Sequence, residues 1–137
     1  MIVNKIGKLG EDLAALFIKR RGYLVLYRNY WKPYGEIDIV CQKQNKLYFI
    51  EVKSVSREIS DENNAGMEVT RENYGAEENV HEHKLKRLGR VIQVFLSEKQ
   101  FSDADWQFDV CVVEIDKQSK KARIKMIENQ LIPDYRS

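Results

Sequence analysis

Asp38, Glu51 and Lys53 have the residue types and spacing to do chemistry on a phosphate. Asp38 lies in EIDIVC (36–41), and Glu51 and Lys53 lie in KLYFIEVKSV (46–55). Both strings read as strands, and in a strand residues i and i+2 face one side. Glu51 and Lys53 are therefore neighbours on one face, with Val52 turned to the other. Asp38 is expected to point one way, with Ile37 and Ile39 both opposite. QKQN is a short polar connection, so the strands form a hairpin that brings Asp38 close to Glu51. Two carboxylates held together repel unless a cation joins them. Mg²⁺ or Mn²⁺ meets that need, since hard cations take oxygen ligands, and the Val52 backbone carbonyl offers one more. Lys53 beside such an ion would stabilise charge developing on a phosphate or orient an attacking hydroxide, with no covalent intermediate. An ordinary ion-pair ladder accounts for any one of these residues alone. Grouped between apolar runs, they read as a site.

Positioning them takes a sheet with covered faces. Ile6, Leu9, Leu13, Leu16 and Phe17 recur at helical spacing, and Gly22 follows Lys19, Arg20 and Arg21 as a stop, so a first helix is predicted over 5–21. YLVLYRNY (23–30) is rich in β-formers, and WKPYG (31–35) reads as a turn. Beyond the two strands already described, residues 56–80 show no period and read as a long loop. A second helix is predicted over 81–99, with Leu85, Leu88, Ile92, Phe95 and Leu96 as its apolar stripe. WQFDVCVVEI (106–115) is a strand, DKQSKK a turn, and ARIKMIE (122–128) an edge strand of alternating charge. Helix, three strands, loop, helix and two strands predict an α/β fold: one mixed sheet with a helix on each face.

The 137 residues suit a single domain over 1–137. Apolar runs are too short for a membrane span, and the N-terminal stretch is interrupted by Glu11 and Asp12 where a secretory signal would be continuous, so a cytoplasmic protein is expected. Cys41 and Cys111 lie in strand-like segments without metal spacing and are expected to be reduced and buried. The net charge of +2 is unevenly spread. Residues 55–80 carry −5 and the remainder +7, a basic body with an acidic insert. This permits nucleic-acid binding but is equally consistent with a solvated surface bearing a charged loop. Lys84, Lys86, Arg87 and Arg90 open the second helix and could grip phosphates, or form a solvated helix flank. His81 and His83 point apart on a helix and read as surface residues. Asp109, between Phe108 and Val110, reads as half of a buried ion pair or as a support for the site. Tyr30, Trp31 and Tyr34 could stack on an unpaired base, although core packing and turn anchoring are the commoner use.

The strings GKLGEDLAALFIKRRGYLVLYRNYWKPYGEIDIVCQKQNKLYFIEVKS, KLKRL and FDV resemble the YraN-like family of bacterial proteins, placed in the PD-(D/E)xK nuclease superfamily. That family runs G-x-x-x-E-x-x-A, R-N-x-R/W, G-E-I-D-L-I, F-V-E-V-K-x-R, K-x-x-R-L and R-F-D-V-V. It is similar to archaeal Holliday-junction resolvases. The resemblance implies a restriction-endonuclease-like αβββαβ core, Asp38 and Glu51 as metal ligands, and Lys53 as the catalytic lysine. It also implies that Glu11 faces the metal from the first helix. Small residues at Gly7, Ala14 and Ala15 would let that helix approach the sheet; helix-dipole charge is the competing use of Glu11. Glu36 matches the G-E-I-D glutamate, as an auxiliary ligand or an ion pair. The chain departs from the pattern with Ser54 and Val55 after the lysine and with Gln107 before FDV.

The expectation is a Mg²⁺- or Mn²⁺-dependent endonuclease acting on DNA, including branched or structured DNA. Cutting a junction would need two sites and hence a homodimer. The alternatives are a non-catalytic nucleic-acid-binding module of the same fold, or an RNA-directed or partner-dependent factor that docks through 56–80.

Overall fold

The computed structural model describes residues 5–59 and 81–133. The elements run α1 (Lys5–Arg20), β1 (Leu24–Lys32), β2 (Gly35–Lys43), β3 (Lys46–Ser56), α2 (His81–Glu98), β4 (Asp105–Asp116) and β5 (Lys121–Ile127). The sheet order is β1-β2-β3-β4-β5. β1–β2, β2–β3 and β4–β5 are antiparallel, whereas β3–β4 is parallel and is crossed over by α2. A short turn can link antiparallel neighbours, but a parallel pair needs a long crossover. The predicted α/β order with one mixed sheet is the order found.

The two faces carry separate cores. On one, Leu85, Leu88, Val91, Ile92 and Phe95 of α2 cover Ile37, Val40, Leu47, Phe49, Phe108 and Val110. On the other, Ala14, Ala15 and Ile18 of α1 cover Ile39, Cys41, Ile50, Cys111, Val113 and Ile115. The α2 stripe is the one its periodicity predicts. α1 differs: its buried residues are Gly10, Ala14, Ala15 and Ile18, while Leu9 and Leu16 are each 44% exposed. The close line of approach takes small side chains and leaves the larger ones at its flanks. Gly10, rather than Gly7, is at the contact, where an added Cβ would lie 2.8 Å from Ser54 Cβ. α1 ends as expected at Gly22, whose φ of 91° lets its N–H reach the Lys19 carbonyl and the Tyr23 N–H reach Ile18.

β1 continues through Trp31 and Lys32, which the sequence assigns to a turn. Both pair with β2, at Glu36 and Gly35, so the turn shrinks to Pro33 and Tyr34. β3 likewise runs one residue past its predicted end, to Ser56. Of the acidic segment 56–80, residues 60–80 lie outside the described residues. Its first residues are fastened to β4, with the Arg57 N–H on the Ile115 carbonyl and the Ile59 N–H on Asp116. Cys41 and Cys111 are free thiols, both buried as expected, and burial pushes each up to about 12. No helix among the described residues is long and apolar enough to cross a membrane.

Candidate active site

The site lies where β2 and β3 part. Their pairing runs from Lys43↔Lys46 to Ile39↔Ile50 and stops there. Asp38 and Glu51 would be the next pair. β3 remains paired to β4 as far as Ser56, so β2 is the strand that leaves. Alternation also breaks at this point. Ile37 belongs to the core under α2 and Ile39 to the core under α1, so they do not share a face as predicted. On β1 beside it, Asn29 takes a φ of 55°, a left-handed conformation inside a strand. These two irregularities turn Asp38 into the gap between the strands, where its Oδ2 accepts the Val52 N–H at 2.8 Å. In an extended strand the N–H and C=O of one residue face the same neighbour, so the Val52 carbonyl opens toward the gap too.

Glu51 and Lys53 pair in parallel with Val110 and Val112, both in the core under α2, so the two side chains share that face. Glu51 is buried and ion-paired with Lys84, which reaches in from α2. Asp38 is half-buried among acids. Burial raises its carboxyl, the Val52 N–H lowers it, and the charges of Glu11, Glu51 and Glu36 raise it again, leaving it at about 7. Glu11 is also raised, first by burial and next by Glu36, with Arg28 opposing.

Glu11 and Glu36 meet through Asn29. With its amide nitrogen turned toward them, Asn29 donates to Glu11 Oε1 and to Glu36 Oε1, each at 2.9 Å. Arg28 bridges Asp12 of α1 at 2.8 Å. The first helix is thus tied to β1 at Glu11 and at Asp12. Sequence reading missed Asn29; its signal was an asparagine, a poor strand former, inside the β-rich run. An open cleft of about 490 Å³ adjoins the gap, lined by Lys5, Ile6, Gly7, Glu11, Val52, Ser54 and Lys117. Among the described residues, no three His, Cys, Asp or Glu side chains are grouped closely enough to hold a metal by themselves.

The other candidates separate. Of the basic residues on α2, Lys84 faces Glu51, Arg90 stacks 3.8 Å over the Tyr34 ring, Lys86 lies 4.0 Å from Glu82, and Arg87 is exposed. His81 begins α2 and His83 is exposed. Tyr30 packs edge-on against Phe95 and Tyr34 joins the same core, whereas Trp31 is 64% exposed and packs in neither. Asp109 is buried, but neutral donors hold it: the Gln107 amide at 2.7 Å and the Asn129 N–H at 2.8 Å, both on Oδ1. The ion pair foreseen for it is replaced because Gln107, two residues away on the same face, supplies a donor without charge.

Comparison with known proteins agrees over most of the chain. The family model described as "uncharacterised protein family UPF0102" matches residues 10–113. A UPF0102 protein of Dictyoglomus thermophilum is 34% identical over 120 residues, covering 85% of this chain and 88% of the relative. One of Moorella thermoacetica is 32% identical over 129 residues, covering 93% and 96%. One of Campylobacter hominis is 30% identical over 125 residues, covering 91% and 92%. The matched span runs from Gly10, at the contact of α1 with β3, through the parted strands to Val113 of β4, and on these grounds the chain belongs to the UPF0102 family.

Proposed function

We propose that this protein is a metal-dependent nuclease that hydrolyses phosphodiester bonds in DNA, branched or structured DNA included. The observation that carries this reading is the parting of β2 from β3, which brings Asp38 and Glu51 together beside the Val52 backbone, with Lys53 next along the Glu51 face. The crowding of Asp38 by Glu11, Glu36 and Glu51 is what a divalent cation relieves. Mg²⁺ commonly takes one or two carboxylates and keeps several waters, so the two-carboxylate set found among the described residues fits it.

Asp38, Glu51 and the Val52 carbonyl would hold Mg²⁺ or Mn²⁺, with Glu11 completing the site and Glu36 auxiliary. The ion would supply Lewis acidity and a nucleophilic water at neutral pH. Lys53, on the Glu51 face, stabilises charge on the phosphate or orients the attacking water. Asn29 holds Glu11 and Glu36 in place. Lys5 and Lys117 on the cleft wall, with Lys84, Lys86, Arg87 and Arg90 on α2, offer positive charge to a phosphate backbone. Junction cutting would use two copies of the chain, and the cytoplasm is the setting this reading expects.

The test is cleavage of linear, single-stranded, flapped and four-way-junction DNA in Mg²⁺ or Mn²⁺. Lys53→Ala is expected to cut the rate by about 10²-fold or more while sparing DNA binding, and Asp38→Ala to abolish cleavage. Undiminished cleavage by Lys53→Ala would sink the mechanism. A second reading, a non-catalytic nucleic-acid-binding module, draws on the Lys84–Glu51 ion pair, which satisfies Glu51 without a metal. It expects salt-sensitive, metal-independent binding and no product.

A further inference from the structure

The two sides of the Lys84–Glu51 ion pair are unlike. The Glu51 side chain is 11% exposed and sits in the middle of β3, while the Lys84 side chain is 54% exposed. A fixed, buried anion is met by a flexible cation that comes in from solvent. Lys84 stands just before Leu85, which is buried in the core under α2, so its backbone is anchored while its ammonium can swing. A buried carboxylate with no counter-charge is costly, so the metal-free protein needs a cation on Glu51. An ion pair with one end in solvent is weak, so that cation can be exchanged. One ammonium does not balance the Glu11, Glu36, Asp38 and Glu51 carboxylates, and the opening still favours a divalent ion. Lysine suits exchange better than arginine, because it is a compact charge without a bidentate fork.

Resting on the nuclease reading, we infer that Lys84 is a place-holder cation. It holds Glu51 in the metal-free protein, yields it when Mg²⁺ or Mn²⁺ binds, and then turns its ammonium to the substrate phosphate. One residue thus serves the empty site and the working one, and metal loading primes the protein for an anionic partner.

The test is calorimetric titration of the whole protein with Mn²⁺ alone, for wild type, Lys84→Gln, Lys84→Arg and Asp38→Ala. Lys84→Gln removes the competitor and is expected to bind Mn²⁺ about three-fold more tightly. Lys84→Arg keeps a competing cation that is harder to displace and should bind Mn²⁺ more weakly than wild type, and Asp38→Ala should lose the binding. At saturating Mn²⁺, Lys84→Gln should cleave DNA about ten-fold more slowly, an effect opposite in sign to its metal affinity. Unchanged or weaker Mn²⁺ binding by Lys84→Gln overturns the exchange, even if cleavage falls, and leaves the nuclease reading standing. Tighter Mn²⁺ binding with no cleavage of any DNA by the wild type supports the place-holder and overturns the nuclease reading together with the phosphate contact. A wild type that binds no Mn²⁺ overturns both.

Discussion

Glu114 of β4 and Asp38 of β2 are carboxylates sunk in the same sheet, and their surroundings are opposite. Glu114 is fully buried between two arginines, with Arg123 Nε 3.0 Å from Oε1 and Arg57 Nη1 2.8 Å from Oε2. Burial works against its charge, but Arg123 and Arg57 outweigh it and hold the group below its ordinary value. Asp38 has one backbone N–H and three acids around it, and its carboxyl rises to about 7. A carboxylate that only builds structure is given its counter-charges by the fold. One left among like charges, at an opening between strands, is the group that the proposed metal would neutralise.

The sharpest break in this contrast comes from removing each carboxylate. Glu114→Ala leaves two arginines facing a buried hole and is expected to cost about 3 kcal/mol in urea unfolding. Asp38→Asn relieves crowding instead and should stabilise the metal-free protein by about 1 kcal/mol while abolishing the metal binding proposed for the site. Equal losses from both would show Asp38 to be as structural as Glu114. Gly10→Ala forces α1 off Ser54 and should cost about 2 kcal/mol, less if Ser54→Gly accompanies it. The gentlest probe is pH, followed by denaturation in chelator. Asp38 titrates higher folded than unfolded, so its contribution is full below about 4 and fades as pH rises through about 7. Asp116 is pulled down to about 2, first by the Ile59 N–H and then by Ser119, so its contribution is present above about 4 and is lost as pH falls toward 2. Asp38→Asn should flatten only the first slope and Asp116→Asn only the second.

The parts of this site that were legible in the sequence depend on local pattern. Period-2 alternation in KLYFIEVKSV put Glu51 and Lys53 on one face, and their parallel register with Val110 and Val112 is the same fact seen from β4. The helix–strand order followed from runs of apolar residues and a few turn signals. The rest depends on contacts between distant segments. Nothing in EIDIVC says that Ile37 and Ile39 face opposite cores, because the break comes from β2 parting from β3 and from Asn29 on β1. Periodicity could not choose Gly10 over Gly7, since the close approach is set by Ser54 across the interface. The family's helix motif singles out Lys84 among the four basic residues, but its reach to Glu51 depends on how α2 lies over β3.

The single parallel ladder also has a bearing on how the molecule assembles. β1, β2 and β3 follow one another through tight turns, so they can pair while the rest of the chain is still open. The β3–β4 register, from Lys46↔Asp105 to Ser56↔Ile115, waits for everything between Ser56 and Asp105 to be threaded across. Closing so long an excursion is entropically slow. Asp38 and Glu51 therefore meet early in folding, and the support beneath Glu51 and Lys53 arrives late. Pulse-labelling hydrogen exchange during refolding should protect the amides of β2 before those of β4; the reverse order would place nucleation in the crossover.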